Sequence, residues 1–314
     1  MPLRYIRHSE LDLPAWEACV AAAPQALPYA CAWWLAATAG RWDAVVEVME
    51  DTGAYASVFP LPIKTRPWGR DVYQPPFTQQ LGLITTAASR HRHVLDYLAL
   101  LPAGRVAHLY LQLSTKNELV AAPPGFKLTQ RQTYQLSLAP VYNTLLASYA
   151  PDYRRRISRS KEQPQHLVVT ETMSAGAVID LFKREKAAVG LKNQEYQHLQ
   201  ALVKALQAHS RLLILEARAP NSGELLAGAL FVCHAHVIIY LFAAASLGGK
   251  KAGAPLLLLD HVIQRNAGSP GLVLDFEGGM IPSIARFFAN FGATPVPYAA
   301  LTQTRQPWYL QWMR

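Results

Sequence analysis

The chain of 314 residues contains 51% hydrophobic and 16% charged residues with 18 Gly and 22 Pro, which excludes a disordered or low-complexity protein. At about 150 residues per domain, this length predicts two domains with ample core. The net charge is +9, and it is uneven because residues 151–314 hold 18 Lys and Arg against 11 Asp and Glu. A basic excess of this kind attracts phosphate, nucleic acid or an acidic membrane surface, but it is also typical of a solvated helix face.

The cysteines and the N-terminus favour a cytoplasmic protein. Cys19, Cys31 and Cys233 are odd in number and lack CxxC spacing, which argues against a disulfide framework or a zinc knuckle. The first 16 residues carry charges where a signal peptide needs a continuous apolar segment. We therefore expect a reducing compartment.

One apolar segment, residues 225–248, is long enough to resemble a membrane span. Histidines at its midpoint, His234 and His236, are unfavourable in hydrocarbon and divide the segment into two pieces of strand length. We predict a buried β-hairpin and no stable membrane insertion. Because no third ligand lies near these histidines, we predict no metal site there.

The expected elements of the first half, in chain order, are a strand at 3–8, helices at 14–22 and 29–38, a hairpin of 44–49 and 54–60, a helix at 89–101, and strands at 106–113 and 127–138. The second half is expected to contain a strand at 167–172, helices at 175–189 and 193–209, strands at 212–219, 225–233 and 237–245, a helix at 254–266, a strand at 272–277, a helix at 282–291 and a strand at 294–301. Both halves thus follow one order, which predicts a mixed α+β fold.

The junction between the halves is predicted in the basic, helix-compatible segment 141–162, where Pro140 and Pro151 interrupt the pattern. We expect a first domain at 1–145 and a second at 146–299. The aromatic C-terminal segment, within 300–314, is expected to complete the first domain.

Four segments carry a family resemblance: 73–82 (YQPPFTQQLG), 155–160 (RRISRS), 240–246 (YLFAAAS), and 275–279 (DFEGG) with 285–292 (ARFFANFG). In this order they resemble GNAT acyltransferases, and the duplicated arrangement resembles the Fem-type peptidyltransferases and related tandem GNAT proteins. The resemblance implies two tandem GNAT-like domains, each a mixed, mostly antiparallel sheet flanked by helices. It also implies transfer of an acyl or aminoacyl group from acyl-CoA or aminoacyl-tRNA, as co-substrate, to the amine of a small molecule or peptide, without a permanently bound cofactor.

The resemblance also assigns roles to residues of this sequence. A glycine-rich turn that leads into a helix N-terminus suits a pyrophosphate, and it predicts a donor site at Gly249, Lys250, Lys251, Gly253 and Ala254. Catalytic roles are expected for Tyr240, Asp275 and Glu277. The phenol of Tyr240 would protonate the departing thiolate, and the carboxylates of Asp275 and Glu277, which we expect on one face of a strand, would accept a proton. Substrate contacts are expected from Tyr73, Phe77, Gln79, Gln80, Arg156 and Phe242.

Alternative roles remain open for each group. The glycine-rich turn is equally typical of a flexible strand-to-helix connection. Asp275 and Glu277 are equally typical of ion-pair partners for Arg286 or of a cap for the helix that begins near Pro282. Tyr240 is equally typical of a core tyrosine. Fem enzymes carry an aromatic-lysine pair in the last helix, whereas Phe287 and Phe288 stand here, which argues against aminoacyl-tRNA. A second hypothesis is a non-catalytic GNAT-like module that binds RNA or an anionic ligand through the basic helix and the adjacent Tyr149 and Tyr153.

Overall fold

The computed structural model describes residues 1–67, 69–102, 106–162, 167–185 and 190–304. They form two compact units. The first contains Met1–Arg131, His198–Ala205 and the described part of Pro297–Arg314, and the second contains Gln132–Gln197 and Leu206–Val296. The domain boundary expected between residues 145 and 146 stays a prediction, and the expected C-terminal segment lies outside the described residues beyond residue 304.

The first unit is a mixed sheet with helices packed on it. Its elements are β1 (Leu3–Ile6), α1 (Leu13–Ala22), α2 (Ala32–Thr38), β2 (Trp42–Val48), β3 (Tyr55–Arg66), β4 (Gly69–Val72), β5 (Ile84–Thr85), α3 (Val94–Leu98), β6 (Val106–Gln112), the first part of β7 (Lys127–Ser137) and the second part of β13 (Thr294–Thr304). The strand order is β1-β2-β3-β4-β6-β13, with β5 beside β3. Among the described strand pairs of this unit, β4 and β6 are parallel and the others are antiparallel; an isolated parallel bridge joins Leu81 and Leu113.

The second unit repeats this arrangement. Its further elements are α4 (Tyr142–Ser148), α5 (Pro151–Glu162), β8 (Val168–Thr172), α6 (Gly176–Glu185), α7 (Asn193–Ala208, of which His198–Ala205 is assigned to the first unit), β9 (Leu212–Arg218), β10 (Leu225–His234), β11 (Val237–Ala245), α8 (Leu247–Ala252), α9 (Ala254–Asn266), β12 (Val273–Asp275) and α10 (Pro282–Ala289). The order β7-β12-β11-β10-β9-β8 again contains one parallel pair, β11 with β12. The predicted mixed fold and the hairpin of β10 and β11 are therefore confirmed.

Buried side chains explain why these elements form. Asp12 caps α1 by accepting a hydrogen bond from the Ala15 N–H at 3.0 Å, and Trp16, Trp34 and Trp42 are almost fully buried between the helices and the first sheet. In the second unit, a cluster that includes Ile238, Leu259, Phe276 and Phe291 fills the space under α9 and α10. Among the described residues, no helix is both long and apolar enough to cross a membrane.

The sequence overestimated three elements. The helix expected at 29–38 begins only at Ala32, because Pro28–Ala30 form a separate 3-10 turn whose Ala30 carbonyl accepts a hydrogen bond from Trp16 Nε1. The helix expected at 89–101 is limited to α3. The strand expected at 272–277 ends at Asp275.

The late start of α3 has its cause in Glu47, a fully buried carboxylate on β2. Its oxygens accept hydrogen bonds from the Ser89 hydroxyl at 2.7 Å and from the N–H groups of Arg90 at 3.0 Å and His91 at 3.4 Å. Burial alone would raise the pKa of Glu47, but these hydrogen bonds outweigh it and hold the pKa below its ordinary value. The backbone N–H groups of Arg90 and His91 are therefore hydrogen-bonded to Glu47 and not to carbonyl groups of a helical turn.

We expect Glu47→Gln to lower the free energy of unfolding by roughly 1–3 kcal/mol at neutral pH, because the amide presents N–H groups to donors. Since the folded pKa is lowered, the stabilisation is fully present above the ordinary pKa of 4.5 and is lost as the pH falls through the folded pKa. Urea unfolding across this pH range measures the effect. The exposed Glu50→Gln is the control, and equal stability of the two variants at neutral pH would contradict the prediction.

Candidate functional site

The parallel pair of β11 and β12 separates halfway along β11. Pairing ends where Ile239 lies opposite Asp275, whereas β11 continues to Ala245. Within the described residues, β11 from Tyr240 onward pairs with β10 alone. One edge of the strand is thus open over six residues, and its backbone groups are available to a ligand.

The separation follows from the turn after β12. Glu277, Gly278 and Gly279 have φ values of 52°, 58° and 113°, and a left-handed run of this kind turns the chain out of the sheet. Asp275 is buried and accepts hydrogen bonds from Thr133 Oγ1 at 2.5 Å, from Gln135 Nε2 at 2.9 Å and from the Glu277 N–H at 2.8 Å. Burial raises the pKa of Asp275, against the effect of these three donors.

This geometry corrects one premise about the two acidic residues. Asp275 and Glu277 do not alternate on one face of a strand, because Glu277 lies outside β12 in a left-handed conformation. Nor does a side chain cap α10, whose N-cap is Ile281. Asp275 is occupied by its three donors, while half-buried Glu277 lies on the turn itself.

A β-bulge lies at the point of separation. Tyr240 pairs with Phe231 and Phe242 pairs with Leu230, so Leu241 is an extra residue on β11. The bulge places Tyr240 and Phe242, which were expected to line the same cleft, on different faces of the sheet. Phe242 packs against Phe182 of α6 with ring centroids 4.7 Å apart.

Tyr240 lies beside the bulge on the face covered by α9 and α10. Its ring contacts Phe231 and Phe288, with centroid distances of 5.3 and 6.2 Å. Burial raises the pKa of Tyr240, so the phenol stays protonated at neutral pH. In the described part of the chain, no side chain or backbone group hydrogen-bonds to this hydroxyl, which leaves it available as a donor.

A groove of about 190 Å³ follows the open edge of β11. Tyr240, Ala243 and Ala245 of β11 line the groove along the strand. Lys250 of α8 and Pro255 of α9 line its end, close to where α9 begins. The lining is small and apolar along Ala243–Ala245 and has Lys250 at its end, while Phe182 and the exposed Glu185 of α6 line the side opposite the strand. This arrangement suits an extended apolar ligand that carries negative charge at one end.

The glycine-rich segment at that end is a short helix, α8, and not the open turn that we expected. Ser246 caps it, with its hydroxyl accepting a hydrogen bond from the Gly249 N–H at 2.9 Å, and the Lys250 N–H donates to the Ser246 carbonyl at 2.9 Å. Gly249 instead allows close packing, since a Cβ there would lie 2.1 Å from the Leu226 carbonyl oxygen. The amides of Gly249 and Lys250 are therefore occupied within the protein.

The N-terminus of α9 keeps the features that an anion requires. Its N-cap is Gly253 at φ 82°, which supplies no capping side chain, and Ala254 and Pro255 form its first turn. Arg156 of α5 lies beside this end: its guanidinium donates to the Lys251 carbonyl at 3.3 Å, and Nη2 would lie 2.9 Å from a Cβ on Gly253. The structure thus brings Arg156, which was expected to contact the substrate, to the segment that carries Lys250 and Lys251 of the expected donor site.

The remaining expected substrate residues lie in the first unit, on the segment after β4. Gln80 is buried and used internally, since its Oε1 accepts from the Thr115 N–H at 2.9 Å and its Nε2 donates to Gln79 Oε1 at 3.0 Å. The Tyr73 ring lies under Lys64 Nζ at 4.0 Å, and burial raises the pKa of this tyrosine. Phe77 has a left-handed φ of 56°. Gln80, with Gln79, therefore anchors the loop on which these residues lie.

The first unit has a similar strand separation, but it is filled. The parallel pairing of β4 and β6 ends at Val72 and Leu109. Beyond it, Gln74 Oε1 accepts from the Gln112 N–H at 2.9 Å, and the Leu81 N–H donates to the Gln112 carbonyl at 2.8 Å. The segment after β4 therefore covers the edge of β6 that corresponds to the open edge of β11.

Two further expectations concern the histidines at the end of β10 and the two tyrosines near the basic helix, Tyr149 before α5 and Tyr153 on it. Burial and Arg211 lower the pKa of His234 to about 4, so the ring is neutral at physiological pH. Among the described residues, no three His, Cys, Asp or Glu side chains lie close enough together to hold a metal ion. Tyr149 and Tyr153 are buried against Phe291, which contradicts their use as stacking platforms for RNA.

Comparison with known proteins agrees with this geometry. Residues 147–280 match the acetyltransferase (GNAT) domain family. The crystal structure of FemX is similar over 95% of this chain and 97% of its own, at 12% identity and a TM-score of 0.66. A tandem GNAT protein from the clavulanic acid biosynthesis pathway is similar over 98% of this chain and 99% of its own, at 13% identity and a TM-score of 0.54. No curated protein sequence matches the chain.

A mixed sheet with one separated parallel pair, an open groove and a basic helix end defines the GNAT class of fold. Residues 147–280 are similar to the acetyltransferase (GNAT) domain over their whole length. The resemblance to GNAT and Fem-type proteins is thereby confirmed, and the structural similarities to FemX and the tandem GNAT protein extend the shared fold over nearly the whole chain.

Two features of the site were missed from the sequence. The bulge at Leu241 has no sequence signal, because Tyr240, Leu241 and Phe242 are all typical strand residues. The start of α8 does have one: Ser246 is a preferred N-cap residue, and its position before a short segment ending at Gly253 indicates a capped helix. The glycines in that segment obscured this signal.

We expect Gly253→Ala to destabilise the protein more than Gly223→Ala. Both glycines are left-handed, at φ 82° and 68°, so each substitution carries a similar backbone strain of about 1 kcal/mol. A Cβ at Gly223 meets nothing within 4 Å, whereas one at Gly253 meets Arg156. Urea unfolding measures both variants, and the excess for Gly253→Ala should disappear when Arg156 is replaced by Ala. An excess that persists without Arg156 would contradict this contact.

Proposed function

We propose that the protein is an N-acyltransferase that transfers an acyl group from a CoA-type donor to an amine acceptor in the groove of the second unit. The observation that supports this most directly is the open edge of β11, which leads from Tyr240 to the cationic end at α9. Its apolar wall suits the pantetheine arm of the donor, and unpaired strand backbone suits the amides of that arm. A cytoplasmic location is part of this proposal, because three cysteines without CxxC spacing fit a reducing compartment.

The diphosphate of the donor is assigned to the cationic end. Arg156 supplies a planar guanidinium that matches phosphate oxygens, Lys250 and Lys251 add charge, and the uncapped N-terminus of α9 adds its dipole and the amide of Ala254. The amides of Gly249 and Lys250 are not part of this assignment, because Ser246 occupies them. Gly253 serves by leaving space for Arg156.

The chemical step needs one proton donor and one proton acceptor. The amine attacks the thioester carbonyl, the new C–N bond forms, and the C–S bond breaks to release a thiolate. Tyr240, protonated at neutral pH, gives its proton to that thiolate. Glu277 accepts the proton of the amine, directly or through water, and Asp275 fixes the turn that carries Glu277 by accepting its N–H.

The donor is assigned as CoA rather than aminoacyl-tRNA. The position of the Fem lysine is occupied by aromatic residues that pack inward: Phe288 lies against Phe276 at 4.9 Å and Phe287 against Tyr153 at 5.9 Å. A non-catalytic RNA module is disfavoured because Tyr149 and Tyr153 are buried. Phe242 on the opposite face and Tyr73, Phe77, Gln79 and Gln80 in the first unit have no contact assigned to the donor.

We expect Arg156→Gln to weaken the binding of CoA by roughly tenfold or more, because a charge-assisted hydrogen bond to phosphate is lost. Calorimetry with CoA measures the affinity, and dephospho-CoA separates the diphosphate from the 3′-phosphate. Arg155→Gln is the matched control, since Arg155 is an exposed neighbour that pairs with Asp152 at 3.4 Å. Equal affinities of the two variants would remove Arg156 from the donor site, and no binding of CoA to the unaltered protein would overturn the proposed donor.

We expect Tyr240→Phe to lower kcat by about a hundredfold with little change in KM, because the hydroxyl acts on the thiolate as it departs. The assay follows thiol release from acetyl-CoA with a panel of primary amines. Tyr196→Phe, on α7, is the control. Full turnover by Tyr240→Phe would show that the hydroxyl takes no part in the chemical step.

A further inference from the structure

The groove along β11 is lined from both faces of the sheet. Pro255 and Leu258 of α9 line it on one face, and Phe182 of α6 lines it on the other. A ligand that follows the open edge of β11 therefore lies between two helices. In the proposed reaction the α9 side contacts the donor, whereas Phe182 has no assigned role.

The packing of α6 fixes the position of Phe182 along the groove. Gly228 of β10 pairs with Ala244 of β11, and a Cβ on Gly228 would lie 2.4 Å from Val178 Cγ2, so α6 lies close to the sheet there. Phe182 is one helical turn further on, and its ring packs against Phe242, with centroids 4.7 Å apart. The helix thus runs antiparallel to β11, and Phe182 lies on the part of the groove that is farther from the N-terminus of α9.

At that far end, the groove is closed in two directions. Within the plane of the sheet, β12 pairs with β11 again where Ile239 lies opposite Asp275. On the face covered by α9 and α10, the Tyr240 ring lies against Phe288 and Phe288 lies against Phe276, with centroid distances of 6.2 and 4.9 Å. An extended ligand that enters beside α9 and reaches this end therefore has to turn toward the face covered by α6.

Phe182 lies where such a ligand would turn. Among the described residues that line the groove on the α6 face, Gly228 and Ala244 are small and Glu185 is exposed. Phe182 is the large apolar side chain of this set, and it is half-buried with one side of its ring against Phe242. Moving the ring aside would lose that aromatic contact. The ring therefore limits the space on this face.

We infer that Phe182 determines which acyl groups the donor can carry and that it restricts them to short chains. The inference rests on the proposed function, which assigns the diphosphate to the N-terminus of α9 and the thioester to the region of Tyr240. The pantetheine arm then follows the open edge of β11, and the acyl chain is the part that turns toward α6. A short chain ends before the Phe182 ring, whereas a long chain meets the ring and gains no further buried contact.

The test measures the binding of S-alkyl-CoA thioethers by calorimetry, so that no turnover is needed. S-ethyl-, S-butyl-, S-hexyl- and S-octyl-CoA carry the same nucleotide and the same arm, and they differ only in chain length. For the unaltered protein, we expect S-octyl-CoA to bind no more tightly than S-ethyl-CoA. In Phe182→Ala, the space left by the ring takes up methylene groups, and the affinity for S-octyl-CoA relative to S-ethyl-CoA should rise by about tenfold or more.

Two further variants control for packing. Val178→Ala shortens a side chain on the same face of α6, one turn earlier, which is not among the described residues that line the groove. It should leave the ratio of the two affinities unchanged. Phe182→Leu removes the ring but keeps an apolar side chain, so it should raise the ratio by less than Phe182→Ala, roughly threefold. This milder substitution carries the test if the alanine variant does not fold.

The outcomes separate this inference from the proposed function. An affinity of the unaltered protein that rises steadily from S-ethyl- to S-octyl-CoA would reveal an open channel for the chain and overturn the inference. A ratio that is unchanged in the folded Phe182 variants, or that rises equally in Val178→Ala, would overturn it too. In these cases CoA still binds and the proposed function stands. If the unaltered protein binds neither CoA nor any thioether, the proposed function fails and the inference fails with it.

Discussion

The short pairing of β11 with β12 is the constraint on which the rest of the site depends. Two parallel strands normally exchange hydrogen bonds along their common length, yet here the exchange ends opposite Asp275. The carboxylate of Asp275 gathers the Thr133 hydroxyl, the Gln135 amide and the Glu277 N–H, and the left-handed residues that follow direct the chain away. An open strand edge thus results from one buried acid and two glycines.

The first unit shows what happens when the same topology lacks an open edge. There the chain after β4 turns back onto β6, and Gln74 and Leu81 satisfy the backbone of Gln112. The two units share one parallel pair in an otherwise antiparallel sheet, but only the second leaves strand backbone unpaired within the described residues. This difference supports the assignment of the donor to the second unit. The glutamine-rich segment of the first unit, in turn, fixes the chain after β6, because Gln80 Oε1 accepts a hydrogen bond from the Thr115 N–H.

Local sequence patterns predicted the elements well and their interactions poorly. The bounds of α9 were predicted to the residue, because Gly253 and Pro255 mark its start, and the hairpin of β10 and β11 follows from its apolar pattern. By contrast, the loss of helix at 89–93 depends on Glu47, more than forty residues earlier, and no local pattern contains such a contact. The bulge at Leu241 likewise depends on the register of β10 against β11, which is set by tertiary packing.

The basic cluster of α5 shows why charge alone was a poor guide to function. Tyr153 and Ile157 define the buried side of this helix, so helical periodicity places Arg156, beside Ile157, at the border of that side, and leaves Arg154, Arg155 and Arg159 exposed. Only Arg156 therefore reaches the end of α9. An arginine held over a glycine at a helix N-terminus has a fixed direction, whereas its neighbours are solvated and screened by salt. Under the proposed function, the preference of the site for a compact anion over a long polyanion depends on that one position.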